Sequence, residues 1–161
     1  MPQRGHRVYA TQRLRLSKSI EAPLKYVYDW CTDYRSDDWT LSQARPHPRF
    51  RVVKLSPRRL LRIRTTPTSV GDPEVAVDLV RLAPPDAWHT NQIDERDLEA
   101  VDYKLTALGT AKTRIDLLVT ERWLTPEHLS RNDTLRRVSG AWDRYVGLIE
   151  TRFRSGQPAK G

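Results

Sequence analysis

The chain has 161 residues, five of them tryptophan, and carries a formal net charge of +8. This length and apolar content predict one folded domain and exclude a disordered chain. The single cysteine, Cys31, excludes an internal disulfide, and no apolar stretch is long enough for a membrane-spanning helix, so we expect a cytoplasmic protein with no secretion signal.

The positive charge comes mainly from arginines that alternate with apolar residues in nearly every predicted element, as in 13–16 and 62–64. This spacing favours a solvated surface, and no nucleic-acid-binding motif is present, so we expect no nucleic-acid partner and no stable membrane insertion. A protein that binds anionic surfaces stays an alternative, and it predicts salt-sensitive retention on heparin or acidic liposomes. The sequence leaves the oligomeric state open.

The first third of the chain predicts one strand and two short helices. Residues 1–11 are polar and predict a flexible segment. Residues 12–20 alternate between apolar and polar side chains, as in a half-buried strand. Residues 23–32 have apolar side chains at helical spacing, and Ser36 can cap a further short turn that contains Trp39.

The middle of the chain predicts six strands joined by short turns rich in proline and glycine, which is typical of an antiparallel meander. The strands are expected at residues 50–55, 59–65, 74–82, 87–94, 98–108 and 112–124. The last has the clearest alternation. Its inward face carries one charged residue, Glu121, among the apolar residues Ile115, Leu117, Val119 and Trp123.

Residues 130–153 predict a long amphipathic helix. Ser130 and Asp133 form a capping pattern at its start. Its apolar stripe consists of Leu135, Val138, Trp142, Tyr145, Ile149 and Phe153. The elements together predict an α+β fold in which a seven-stranded curved antiparallel sheet surrounds this C-terminal helix, with a cavity between them. Residues 155–161 predict a flexible tail.

Three stretches resemble the START-like (SRPBCC) superfamily, the helix-grip fold of Bet v 1-like allergens, polyketide cyclase/dehydratase-like proteins and lipid-transfer domains. They are SKSIEAPLKYVYDW at 17–30, LEAVDYKLTALGTAKTRIDLLVTERW at 98–123, and the helix that starts at Ser130. The likeness covers residues 12–154. It implies a ligand-binding domain, and it leaves the activity open because one fold serves many functions.

Two classes of function follow. One is the binding or carriage of a small hydrophobic molecule of lipid, polyketide or aromatic type. The other is a polyketide cyclase/dehydratase-like enzyme that moves protons with Glu121, Tyr103 or His89. Each candidate has a structural alternative: Glu121 pairs with an arginine across the sheet, Tyr103 only fills the core, and His89 qualifies only if its face of the fifth strand points inward. The four histidines have no ligand spacing, so we expect no metal and no other cofactor.

The predicted ligand-binding residues are mostly large and aromatic, as cavities for flat or apolar ligands require. They are Trp30, Trp39, Tyr103, Val119, Trp123, Val138, Trp142 and Tyr145. We expect at least two of the tryptophans to line the cavity. An apolar lining would indicate a carrier, and two or more convergent titratable groups with shifted pKa values would indicate an enzyme. The sequence favours the carrier because no group of polar residues stands out from the strands.

Overall fold

The computed structural model describes residues 7–35 and 46–159. Seven strands and two helices follow one another in the order β1 (Ala10–Ile20), α1 (Leu24–Thr32), β2 (Arg49–Ser56), β3 (Arg59–Thr66), β4 (Glu74–Ala83), β5 (Ala87–Ile93), β6 (Asp97–Ala107), β7 (Thr113–Trp123) and α2 (Arg131–Arg154). The second short helix predicted around Trp39 lies outside the described residues.

The strands form one antiparallel sheet in the spatial order β1-β7-β6-β5-β4-β3-β2. Strands β2 to β7 are consecutive hairpins, because the connections between them are too short for any other arrangement. Strand β1 then pairs with β7 along its whole length, from Ala10 opposite Trp123 to Ile20 opposite Thr113. This confirms the predicted seven-stranded sheet with a long C-terminal helix, and it leaves β1 and β2 as the two edges.

The sheet has an inner face toward α2 and an outer face on the opposite side. On β7 the five residues at odd positions from Ile115 to Trp123 are all buried, so the alternation predicted for this strand is confirmed. Apolar residues such as Leu14 on β1, Val80 on β4 and Val101 on β6 are also buried and belong to the same core.

Helix α2 lies on the inner face along the predicted apolar stripe. Trp142 and Ile149 are buried, and the other stripe residues pack against the same core. Ser130 caps the helix by accepting a hydrogen bond of 3.1 Å from the Asp133 backbone N–H. On the margin of the stripe, Lys18 Nζ of β1 donates to Ser139 Oγ at 2.8 Å, which ties the edge strand to the helix.

The ends of the chain show one difference from the predicted boundaries. Strand β1 begins at Ala10, two residues earlier than expected, and the backbone N–H of Tyr9 donates to the Trp123 carbonyl at 2.9 Å. None of the helices in the described ranges has the length and apolar character needed to cross a membrane. The division into flexible ends and a ligand-binding domain, and the cytoplasmic location, stay predictions.

Candidate functional site

A cavity of about 350 Å³ lies between the inner face of the sheet and α2. Strands β3 to β7 supply one wall and the first half of α2 supplies the other. The lining is largely polar at the side of the sheet where β3 and β5 end and β4 and β6 begin. The polar residues are Arg62, Arg64, Asp78, Thr90, Gln92, Asp94, Asp97, Glu99 and Arg137, and the apolar and aromatic ones are Tyr34, Val101, Tyr103, Leu117, Val119, Val138, Ala141, Trp142 and Tyr145.

Aromatic rings form the apolar part of the wall. The Tyr103 ring stacks on buried Trp88, with 4.5 Å between the centroids and 7° between the planes. Trp142 of α2 lies 5.9 Å from the Tyr103 ring, and Tyr145 lies 5.5 Å from Trp142 in an edge-to-face contact. Burial raises the pKa of the Tyr103 phenol well above 10.0, so this hydroxyl stays protonated and can donate a hydrogen bond.

Two arginines of β3 point to the inner face. The Arg62 guanidinium bonds to the buried Asp78 carboxylate at 2.7 Å and lies 5.1 Å from the centroids of both the Tyr34 and the Phe50 ring. These contacts hold it in place by charge and by cation–π attraction. Arg64, two residues further along β3, also lines the cavity, and within the described ranges no carboxylate lies within 4.0 Å of it. Arg64 is therefore a cation that a ligand oxygen can reach.

A cluster of carboxyl groups occupies the inner face where β6 begins and β7 ends. Glu99 of β6 lies directly opposite Glu121 of β7 in the strand register. Like charges in this position destabilise a sheet unless a counterion joins them. Arg137 of α2 supplies it: its guanidinium lies 2.9 Å from the Glu121 carboxylate and 3.5 Å from that of Glu99.

Glu121 is fully buried, and this governs its protonation. Burial, together with a hydrogen bond to Asp97, raises the pKa of Glu121 from 4.5 to about 8, although Arg137 opposes the rise. Glu121 Oε2 and Asp97 Oδ1 are buried without another hydrogen-bond partner in the described structure, and a proton held by Glu121 and donated to Asp97 satisfies both atoms. Burial also raises the pKa of Glu99, again against the effect of Arg137.

A second pocket, of about 630 Å³, opens beside this cluster between the start of β6 and the loop that joins β7 to α2. Asp94, Asp97 and Arg137 border both the pocket and the cavity, so Arg137 stands between the two spaces. Trp123 and His128 line the second pocket and do not line the cavity. Their ring centroids are 6.2 Å apart.

No family model and no curated protein matches this sequence. Solved structures do match it. The ZhuI aromatase/cyclase from Streptomyces sp. R1128 has a TM-score of 0.70 at 11% identity, over 91% of this chain and 98% of that one. Ara h 8.0201 has a TM-score of 0.65 at 10% identity, over 87% and 98% of the two chains. A START superfamily protein from Mycobacterium smegmatis has a TM-score of 0.60 at 12% identity, over 89% and 97%. The protein has the START-like fold.

Five of the eight predicted ligand-binding residues line the START-like cavity. Those five are Tyr103, Val119, Val138, Trp142 and Tyr145. Trp30 is buried behind the wall, 5.9 Å from the Tyr145 ring, and Trp123 lines the second pocket instead. Trp39 lies outside the described residues. Of the three tryptophans from this prediction that the described ranges include, Trp142 borders the cavity, and the expectation that at least two of the four do so stays a prediction.

The predicted proton-transfer residues are separated in space. Tyr103 lines the cavity, and Glu121 lies beneath Arg137 beside Asp97 and Glu99. His89 does not point inward, as a role in proton transfer would require, because β5 directs Trp88, Thr90 and Gln92 to the inner face. The His89 ring therefore lies on the outer face, where Nδ1 is 2.6 Å from the Asp102 carboxylate.

Sequence reasoning missed the partner of Glu121 and the carboxyl groups around it. The helical period places Arg137 on the side of α2 opposite the apolar stripe, yet its long side chain reaches back to the sheet while remaining 49% exposed. The predicted partner was an arginine across the sheet, and the observed one comes from the helix. Asp97 and Glu99 lie four and two positions before Val101, so the alternation of β6 places them on the inner face.

Proposed function

We propose that this START-like protein binds a small ring-containing molecule with several oxygen atoms, of aromatic or polyketide type, in the cavity between sheet and α2. The observation that carries this proposal is the division of the lining into an aromatic wall and a polar end. A cavity of about 350 Å³ is near the lower end of the size range of small-molecule sites. The cations Arg62 and Arg64 and the protonated Tyr103 hydroxyl suit ligand carbonyl and hydroxyl oxygens better than a plain hydrocarbon chain.

The test is to look for a ligand and then to block the cavity. Native mass spectrometry of protein purified from its source should show a bound small molecule, and calorimetric titration with hydroxylated naphthalenes and anthraquinones should give saturable binding. Val138→Trp should abolish this binding because the larger side chain fills the space beside Trp142. Leu148→Trp is the matched control, since Leu148 is on the same helix but 40% exposed. Equal binding by the two variants would contradict the proposal that the ligand binds in this cavity.

A second candidate function is proton transfer on the same ligand, as in a cyclase/dehydratase-like enzyme. It is favoured by one observation: Glu99, Asp97 and Tyr103 all border the cavity and burial raises the pKa of each, and such a convergence of shifted groups is typical of acid–base sites. The ZhuI protein that shares this fold is described as an aromatase/cyclase, which makes such chemistry compatible with the scaffold.

The two candidates differ in what Glu99→Gln does. The amide keeps the size and hydrogen-bonding capacity of the carboxyl group and cannot exchange a proton. For a carrier, the variant should bind the ligands identified above with nearly the affinity of the original protein and neither should convert them. For an enzyme, the original protein should convert a bound polyketide-type compound, and Glu99→Gln should bind it without conversion.

A further inference from the structure

The outer face of the sheet carries an apolar patch that the cavity does not explain. Directly paired residues of an antiparallel sheet lie on the same face, so the strand register defines rows across it. One row runs from β2 to β7 through Arg51, Ile63, Val77, Ile93, Leu98 and Arg122. The neighbouring row places Leu61 beside Leu79. Six aliphatic side chains are thus contiguous, and Ile93 at their centre is 56% exposed.

Arginines frame this outer apolar patch. Arg51 and Arg122 stand at the two ends of its first row. The row on the far side of Leu61 and Leu79 contains Arg59 beside Arg81, and β1 adds Arg13 and Arg15 on the same face. All six are exposed, and over the described ranges none has a carboxylate within 4.0 Å. The row of Arg81 also contains His89 and the exposed Asp102 carboxylate, which pair with each other, so the frame has an excess of cations without being free of acids. Six cations with no carboxylate in contact in the described structure, around a contiguous apolar surface, are unusual on a free protein surface.

We propose that this outer face docks on the surface of an anionic lipid bilayer. The sheet curves around α2, so the centre of its outer face projects furthest and the flanks recede. In that orientation the aliphatic side chains enter the headgroup region first, and the arginines on the flanks meet lipid phosphates. The frame spans the sheet from β1 to β2, six strand spacings or about 29 Å, which is wide enough to contact many headgroups at once.

The composition of the face separates this partner from others. A second copy of the chain would bring unpaired arginines against unpaired arginines, which opposes a face-to-face dimer. A single-stranded nucleic acid would need stacking aromatics among the cations, and a duplex offers no apolar layer for the aliphatic residues that make up the patch. A bilayer provides an apolar layer beneath a layer of negative charge, in the same arrangement as the patch and its frame. This role is separate from ligand binding, because the cavity lies on the opposite face of the sheet.

The direct test is sedimentation of the full chain with vesicles of phosphatidylcholine alone and of phosphatidylcholine mixed with phosphatidylglycerol. Binding is expected only to the anionic vesicles and should weaken steeply as salt is added. Replacing Arg51, Arg81 and Arg122 together by serine should weaken binding about 100-fold, since each basic residue near an anionic surface contributes about fivefold. Ile93→Ser should weaken it about tenfold by removing a half-exposed apolar group from the contact.

The matched control removes the same charge from the other side of the molecule. Arg131, Arg136 and Arg154 are exposed on α2, and their combined replacement by serine should leave vesicle binding within about twofold of the original, because a surface turned away from the bilayer contributes little beyond a Debye length. Thermal unfolding confirms that each variant is folded.

Equal losses for the two triple variants would overturn the proposal by showing that net charge, and not this face, drives binding. Equal binding to neutral and anionic vesicles, or no binding at low salt, would also overturn it. The last outcome would leave the face to an acidic protein partner instead.

Discussion

The buried carboxyl of Glu121 makes a specific prediction about how stability depends on pH. Its pKa in the folded protein is about 8, compared with an ordinary value of 4.5. A raised carboxyl pKa means that the folded state binds a proton more tightly than the unfolded state. The stabilisation is fully present below pH 4.5, is lost progressively as the pH rises, and is gone above about pH 8.

The size of this effect follows from the linkage relation. Each pKa unit corresponds to 1.36 kcal/mol, so between about pH 5 and about pH 9 the group removes about 4 kcal/mol from the free energy of unfolding. Glu121→Gln keeps the shape of the side chain and its contact with Arg137 but cannot ionise. The difference in unfolding free energy between the variant and the original protein should therefore shift by about 4 kcal/mol in favour of the variant over this pH range.

Urea unfolding at a series of pH values, followed by tryptophan fluorescence, measures that difference while other titrating groups cancel. Glu74→Gln is the control: its carboxylate is 52% exposed in an ion pair with Arg96, so the slope of stability against pH should stay close to that of the original protein. If Glu121→Gln shows the same slope as the original protein between pH 5 and pH 9, Glu121 does not carry its proton to neutral pH and the reasoning about the carboxyl cluster is wrong.

Three further changes test the packing and the electrostatics of the same region. Trp142→Ala should cost about 3–5 kcal/mol in chemical unfolding, because the indole is buried between sheet and helix, and a loss well under 1 kcal/mol would contradict that packing. Ser130→Ala should cost about 1 kcal/mol by removing the cap of α2, whereas Ser130→Asn should retain most of it. Arg137→Met should destabilise the protein more at pH 9 than at pH 5, since Glu121 then loses its counterion when it ionises; a cost independent of pH would count against the ion pair.

Most of the fold could be predicted because the spacing of apolar residues along the sequence shows the periods of strands and helices directly. The inner face of β7 and the apolar stripe of α2 are both as predicted, and the resemblance to START-like proteins agrees with the observed sheet order. The faces of β5 could not be assigned from its own residues. Trp88, Thr90 and Gln92 are no more apolar as a set than the residues between them. The register with β6 pairs Trp88 with Tyr103 and thereby shows which face of β5 is the inner one.

The site was harder to predict than the fold because its chemistry depends on pairs from distant elements. The period of β7 placed Glu121 inside, but it could not show that Glu99 lies opposite on β6. The helical period places Arg137 outside the apolar stripe of α2, and a flexible side chain of this length can bring its guanidinium back to the apolar face. Where such a side chain ends depends on the carboxylates that attract it.

The carboxyl cluster favours a role beyond structural stability. Three acids share one end of the inner face, two of them directly opposite each other, and a single half-exposed arginine joins two of these groups. Apolar residues of similar volume would commonly fill such a position at equal or lower free energy. Glu99 and Asp97 border the cavity, while Glu121 holds a proton behind them. Under the function proposed above, Glu121 can exchange its proton with a carboxylate that lines the cavity, so we interpret this arrangement as suited to acid–base chemistry or to the recognition of a ligand oxygen.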